Sequence, residues 1–478
     1  MPTMKRWWIA FTIAVLACLP LWFARPTSPT LLADTDTAVL LGAIRERNAP
    51  LSWFSGDWPL GNHFYRPVST LLFEMDSRLS GDDASGYGRT QVLILIACVL
   101  ALFWFVREMT DRPGYAVSAA ALLVLWQFDL GRVVGPWLGW AAIGLAAASF
   151  GRRLLLHTKS GSPIGGLEIA LAAAALAFLG DQVVGNELRY RTLDWLPGRT
   201  ATTMTFFCLV ALAAFARFER TRARAPVLPE ATPFDLPATR TSEQSLSSPR
   251  AWLFGLLAVA GLVLALGSYE QAVMLPATLL AVSVVFRLRR PRAPEDRLVW
   301  LWHAAFWGLL VGYIVLRQAV IPPGPSAYQA QQYRDGAGVW MSLLWYGLPA
   351  ARAWFPLRSM IGDSGFETLF IAGLWGALVL VAGNAAAVLV VARDCRWPLV
   401  AGAFALSFLA FLPMAWLKPF DHYHYWPMTM RAVFVVVYAS VVGSVALSAV
   451  SPPALRAPPR HDPAPGSLPR RSGFRPSS

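Results

Sequence analysis

Apolar runs long enough to cross a bilayer recur from one end of this chain to the other, and no other feature restricts its fold so severely. A helix needs roughly 17–25 predominantly apolar residues to cross the hydrocarbon layer. Inside that layer, main-chain polar groups must pair within the helix itself. Such runs lie near 7–24, 90–106, 114–130, 135–150, 167–184, 200–216, 251–267, 271–286, 299–320, 366–392, 398–416 and 426–448. Composition agrees: 56% of the 478 residues are hydrophobic and 14% charged, where a soluble domain carries about 25% charged. That composition argues against a soluble globular protein, and a disordered, collagen-like or disulfide-framework protein is excluded. The expectation is an all-α polytopic membrane protein of about twelve spans, with the close pair around Ser268, Tyr269 and Glu270 either a tight turn or a re-entrant feature.

The net charge of +13 would suggest nucleic acid in a soluble chain. With both termini placed in the cytoplasm, however, practically all of the basic excess falls on that side, in clusters at 152–153, 217–224 and 287–292. That is the positive-inside pattern, so the charge reports orientation and no nucleic-acid partner is expected. The first run follows Lys5 and Arg6 without a convincing small-residue cleavage site, and reads as an uncleaved anchor. Residues 1–450 form one transmembrane domain. Within it, 217–250 is a Pro-, Ser-, Thr- and Arg-rich cytoplasmic linker expected to be disordered, as is the tail 451–478, either of them touching anionic lipid at most.

The outer loops differ in character. In loop 25–89, the stretch 35–47 carries Val39, Leu40, Leu41 and Ile44 on one side. After Arg66, Pro67 suits a first helical position, and Val68, Leu71, Leu72, Met75 and Leu79 fall at helical spacing. Two amphipathic helices lying in the membrane interface are expected here. Loop 321–365 is rich in Tyr, Trp and Arg. The four Cys are scattered so that a structural disulfide is not expected. No zinc, Walker or GxGxxG pattern occurs.

Sorted by side, the outer face collects Asp34 and Asp36 after the first span, Arg66, Arg199, Tyr269 and Glu270, and Lys418, Asp421, His422 and His424 before the last. Carboxylates beside several cations at one level suit an anionic substrate. Each residue also has a plainer reading. Asp34 or Asp36 would serve as a helix N-cap, Arg199 as a snorkelling span-end residue, and His422 and His424 as interface residues. Glu270, set among apolar residues, is costly without a partner.

Four stretches in the same order resemble the GT-C superfamily of membrane glycosyltransferases, nearest to bacterial relatives of the protein O-mannosyltransferases and the TPR-bearing transmembrane O-mannosyltransferases. LLADTDTAVL resembles that family's acidic motif after span one. FYRPVSTLLFEMDSRLSGDDASGYGRTQVLI resembles its Tyr-Arg-Pro segment running into a Gly-Tyr-His start of span two. LDWLPGRTATTMTFF is similar to its Trp-x-x-Gly-Arg segment, and SYEQAVMLP to its Lys-Glu segment ending in Pro, with LPMAWLKPFDHYHYWP as a late loop. The chain departs from the pattern at Gly88 (usually His), Ala201 (often an acid) and Tyr269 (usually Lys), and no TPR array follows.

The resemblance implies a GT-C-like bundle that transfers a sugar, with inversion, from a polyprenyl-phosphate donor to an acceptor hydroxyl on a protein, lipid or glycan. The site would face the periplasm or exterior of a bacterial inner membrane. It implies Asp34 or Asp36 as the catalytic base, and Arg66 and Arg199, supported by Lys418, His422 and His424, as substrate-binding groups around the lipid phosphate. Glu270 would position acceptor, sugar or a cation. No cofactor is required; a divalent metal is compatible, though two Asp at this spacing do not make a metal site alone. From other classes, a transporter or lipid flippase would show charges at the midplane and an internal repeat, and an inactive GT-C-like scaffold would share the fold without the chemistry.

Overall fold

Apolar segments that must satisfy their own main chain become helices, and helix is the only extended regular structure among the described residues, with one isolated bridge between Tyr333 and Leu417. The computed structural model describes residues 2–128, 192–222, 249–289, 297–347, 389, 391–418 and 421–450. In chain order the helices are α1 (Pro2–Ala17), α2 (Leu19–Phe23), α3 (Thr30–Ala33), α4 (Thr35–Arg47), α5 (Pro67–Ser80), α6 (Ala84–Thr110) and α7 (Pro113–Trp126). They continue with α8 (Arg199–Arg222), α9 (Pro249–Leu266), α10 (Leu275–Arg289), α11 (Arg297–Val320), α12 (Ala327–Gln332), α13 (Gly336–Gly347), α14 (Trp397–Phe411) and α15 (Tyr425–Val450).

Local chemistry sets many of the boundaries. Pro20, without an N–H, interrupts the first run between α1 and α2. Asp83 caps α6 by accepting from the Ser85 N–H at 2.9 Å, and Asp111 ends it in the left-handed region at φ 58°. Pro67 and Pro113 stand first in α5 and α7, where a missing donor costs nothing.

Among the described residues, seven stretches are long and apolar enough to cross a membrane: Met4–Phe23, Ala84–Thr110, Leu196–Thr221, Glu270–Arg289, Arg297–Val320, Trp397–Trp416 and Tyr425–Ser444. Pro113–Trp126 and Ala251–Leu266 are shorter apolar helices. These match nine of the expected runs in position; those near 135–150 and 167–184, and nearly all of 366–392, lie outside the described residues. The tail 451–478 and most of the expected linker also lie outside them. The linker's start is corrected, because α8 continues through Arg222. Glu108 of α6 reaches both Arg217 and Arg220 at 3.3 Å, and Asp111 pairs with Arg220. These pairs keep the last turns of α8 against α6.

The α6–α8 pair shows how charge is distributed along the bundle. One end holds Arg199, Asp76 and Gln91, and the other Glu108, Arg217 and Arg220. Gln91 and Glu108 are separated by about 26 Å at 1.5 Å per residue, close to the roughly 30 Å of hydrocarbon. The facing residues between them are neutral and buried, among them Leu95, Leu102 and Phe105 against Cys208, Leu212 and Phe215. Ser283 of α10 donates to the buried Glu219 at 2.6 Å and lies 2.9 Å from His303 Nε2. The turn between α9 and α10 and the α10 end, where Arg289 donates to the Met109 carbonyl at 2.6 Å, lie at opposite ends of the bundle. Residues 251–289 therefore cross the bundle twice in opposite directions, α9 and α10 each packing on α8.

A smaller core covers one end of the bundle, where Leu40, Leu41, Ile44, Trp53, Trp58, Phe73, Tyr87 and Leu196 pack together. The helices expected over 35–47 and after Arg66 are present as α4 and α5. The inward face of α5 is largely polar: Ser69, Thr70, Glu74 and Asp76 are buried beside Phe73, while Leu79 is 77% exposed and Met75 also faces outward. Periodicity located the helix; long-range polar partners decided which side turned inward.

Candidate functional site

The site is built where α5 begins. Three groups around its first turn bond to the α9–α10 turn. The Val68 N–H donates to the Gly267 carbonyl at 2.9 Å, Ser69 Oγ to the Ser268 carbonyl at 2.9 Å, and the Tyr65 N–H to Glu270 Oε1 at 3.1 Å. A helix start leaves N–H groups without partners, and here the α9–α10 turn takes up that of Val68. Arg66 is thereby set beside Glu270, its Nε and Nη2 reaching Oε2 at 2.9 and 2.8 Å. Aromatic rings surround the guanidinium, with the centres of Phe64 and Tyr269 at 4.0 and 4.2 Å. Burial works against the Arg66 charge, but the Glu270 carboxylate and its neighbours outweigh it and hold the arginine pKa above its usual value. Burial also raises the Tyr269 phenol, so it stays neutral.

This pair opens on a cavity of about 300 Å³, at the small end of the roughly 300–1,000 Å³ of ligand pockets. One wall is Phe64, Arg66, Tyr269, Glu270 and Gln271; another is Arg317 at the end of α11 with Gln329, Gln332 and Tyr333; the third is the 412–417 segment and Tyr423. The outer segments are fastened to one another. Arg317 Nη2 and Gln329 Nε2 donate to the His63 carbonyl at 3.0 and 3.2 Å, and the Ser326 hydroxyl donates to the Asn62 carbonyl at 3.1 Å. The Lys418 and Arg334 N–H groups bond to Gln332 and Trp416 carbonyls at 2.7 and 2.9 Å. Segments from four parts of the chain thus close around one space.

Of the residues singled out in the sequence, the structure joins Arg66 and Glu270. Asp34 caps α4, accepting from the Thr37 N–H at 3.3 Å, and also accepts from the Trp195 indole at 3.1 Å. Asp36 is exposed in the first turn of α4. Neither is among the described lining residues of the cavity.

Arg199, expected among the substrate-binding groups, lies outside the described lining of the cavity. It is 0% exposed; Nε donates to Gln91 and Nη2 to the Tyr87 carbonyl, both at 2.9 Å, and Nη1 to Asp76. Its donors are committed inside the protein, where an unpaired charge would be far costlier. Lys418 is exposed beside the cavity, next to the lining residue Leu417. The half-buried His424 ring stacks with Phe411 at 6.1 Å, while the His422 side chain lies outside what is described.

Arg317, Gln271, Gln329 and Gln332 carry no signal in the sequence that marks them for a site, and Tyr423 reads there as part of an interfacial aromatic belt. An Arg ending an apolar helix looks like a snorkelling residue, and neutral amides carry no charge signal. Among the described residues, no group of three or more His, Cys, Asp or Glu is placed to hold a metal ion.

Positions 88, 201 and 269, where the resemblance leads one to expect His, an acid and Lys, each fit their surroundings in this structure. A Cβ on Gly88 would lie 1.8 Å from the Pro26 carbonyl oxygen, so His cannot stand there without moving the chain after α2. Ala201 is fully buried in the apolar core, and Tyr269 supplies a ring over Arg66. Compared with family models, curated proteins and solved structures, the chain finds no match.

Proposed function

We propose that this chain is a GT-C-like glycosyltransferase that moves a sugar from a polyprenyl phosphate to an acceptor hydroxyl, and that the Arg66–Glu270 cavity is its site. The observation that carries the reading is a carboxylate and two arginines on one small, aromatic-walled cavity at the ends of apolar helices. Arg317, with Arg66 behind it, would stabilise the charge developing on the lipid phosphate. Glu270, the carboxylate among the described lining residues, takes the role assigned by resemblance to Asp34 or Asp36. About one of its four acceptor positions remains after the bonds from Arg66 and Tyr65.

In the proposed step, the acceptor oxygen bonds to the anomeric carbon from the side opposite the phosphate. The bond from that carbon to the phosphate oxygen breaks, the lipid phosphate leaves with the electron pair, and the hydroxyl proton passes to Glu270. The α9–α10 turn argues against the transporter reading, because its carboxylate lies at a turn between two helices and not in a helix broken at the membrane midplane. By the positive-inside argument the cavity faces away from the cytoplasm, at a bacterial inner membrane, and α4 and α5 lie at its interface.

The test is transfer of radiolabelled sugar from defined polyprenyl-phosphate donors in membranes containing the full chain. Glu270→Gln is expected to lower the rate by about 10²–10⁴-fold, the usual contribution of a general base. An unimpaired Glu270→Gln variant removes the base assignment. Counterflow of a solute without any covalent product replaces the enzyme reading with the transporter.

A further inference from the structure

The three walls of the cavity are not held alike. In the first, Arg66, Tyr269 and Gln271 are buried; in the third, Met414, Ala415 and Tyr423 are. The wall that carries Gln329, Gln332 and Tyr333 has no such root. Ile321 and Val339 are buried, but none of residues 322–338 between them is. Within that strap α12 is six residues long, too short for a helix to be stable by itself. The approach to it is a stiff arm with one joint. Pro322, Pro323 and Pro325 have no N–H to donate and a fixed φ, and Gly324 among them stands at φ 84°, where a side chain would be strained.

What fastens the strap is mainly polar. On one side the Ser326 hydroxyl donates to the Asn62 carbonyl at 3.1 Å, Gln329 Nε2 donates to the His63 carbonyl at 3.2 Å, and His63 Nδ1 lies 3.2 Å from the Gly324 carbonyl. On the other side the Lys418 N–H reaches the Gln332 carbonyl at 2.7 Å, and the Arg334 N–H the Trp416 carbonyl at 2.9 Å. The Tyr328 ring, 40% exposed, meets Phe64 edge-on at 6.4 Å. Each such hydrogen bond contributes little net, because water replaces it on opening. Segments with few buried contacts open well before the fold as a whole. We infer that residues 322–338 are a lid that opens as a unit about Gly324, uncovering the cavity while its other two walls stay in place. The inference rests on the cavity and its walls, not on the reaction proposed there.

The test uses the full chain in nanodiscs. Hydrogen–deuterium exchange is followed over 326–338, where the Ala330 and Arg334 amides are hydrogen-bonded, and over 67–73 beside the first wall. The strap is expected to exchange at least about tenfold faster than 67–73. Ser326→Ala removes both the cap of α12 and the bond to Asn62. It should speed exchange of the strap a further three- to tenfold or about that, with melting temperature and exchange over 67–73 unchanged. Access to the cavity is read on the lining residue Met414, as Met414→Cys with the exposed Cys395 changed to Ser, from the rate of labelling by a bulky maleimide. Ser326→Ala should raise that rate by the same factor. If Met414→Cys lowers the melting temperature, Leu417→Cys on the same wall supplies the rate. Strap amides as protected as those of 67–73, an effect of Ser326→Ala that spreads to 67–73, or labelling indifferent to Ser326→Ala each overturns the lid. Sugar transfer enters neither measurement. A lid that opens in a chain without transfer activity overturns the proposed function alone, and an active transferase whose strap never opens separately overturns the lid alone.

Discussion

Arg66 and Glu270, 204 residues apart in the chain, meet through two bonds of 2.9 and 2.8 Å at the mouth of a cavity. Arg66 is nearly buried and Glu270 about one-quarter exposed, so neither charge is fully solvated once its partner is gone. Arg66→Met is expected to cost about 2–3 kcal/mol, somewhat less than the roughly 3–5 for breaking a fully buried pair. The double substitution Arg66→Met with Glu270→Met should restore part of that loss. Denaturation in detergent across the four-protein cycle measures the coupling, and additive losses would show that the pair contributes no specific energy.

Arg199 carries a different expectation because all three of its guanidinium nitrogens are bound within the protein. Arg199→Met should reduce stability by about 3–5 kcal/mol and lower the yield of folded protein. A stable Arg199→Met protein with weakened donor binding would instead return Arg199 to the substrate site. Melting temperature and donor affinity, measured on the same preparation, separate these outcomes.

Asp34 can be tested for capping and catalysis separately. Asn is as good an N-cap as Asp, whereas Ala loses about 1 kcal/mol. Asp34→Asn should keep the bond to Thr37 and retain most of the transfer activity, while Asp34→Ala should be less stable. A drop of a hundredfold or more in Asp34→Asn at wild-type stability would move the base from Glu270 to Asp34.

Gly88 should tolerate no side chain. The Pro26 carbonyl occupies the place a Cβ would take, and it is backbone, which cannot rotate aside. Gly88→Ala is expected to destabilise the chain by about 1–3 kcal/mol through overpacking, and Gly88→His by more. Fluorescence-detected size exclusion after a heating series would register both. Normal thermal stability of Gly88→His would show that the chain after α2 moves freely.

At the opposite end of the bundle, Asp394 accepts from Arg396 at 2.8 and 2.7 Å. Hydrogen bonding and charge from Arg396 lower the carboxyl pKa to about 2. A depressed carboxyl stabilises the fold above its ordinary value near 3.8, and that contribution is lost as pH falls toward about 2. The stability difference between wild type and Asp394→Asn should therefore be constant from pH 8 to 5, at about 1 kcal/mol or less, and shrink below pH 4. A difference that vanishes by pH 6 would contradict the pairing.

Much of the helical architecture was readable because its cause is local. A stretch such as 299–320 has no way to satisfy its main chain in lipid except by coiling, and α11 follows those residues closely. The start of α5 was readable from Pro67 for the same kind of reason. The direction in which α5 faces was not. Its apolar stripe predicts which side differs, but Glu74 is bound by the Trp53 indole at 2.9 Å and Asp76 by the Thr90 hydroxyl at 2.7 Å. Those partners come from segments that periodicity does not connect.

The candidate site was legible only as a neighbourhood. Arg66, Glu270, Lys418 and His424 could be gathered at one level, because helix direction alternates with every span. Arg66 and Arg199 are then equivalent on paper: each is an arginine at the start of a helix, within two residues of a Pro. Tertiary packing separates them. Arg199 is enclosed between α5 and α6, where Asp76 and Gln91 consume its donors, while Arg66 meets Glu270 at an open turn. The sequence by itself determined the helices and the grouping of their polar ends, because a bilayer acts on each segment separately. Only the tertiary structure decided which charges became internal ties and which faced a cavity, because burial depends on neighbours a hundred or more residues away.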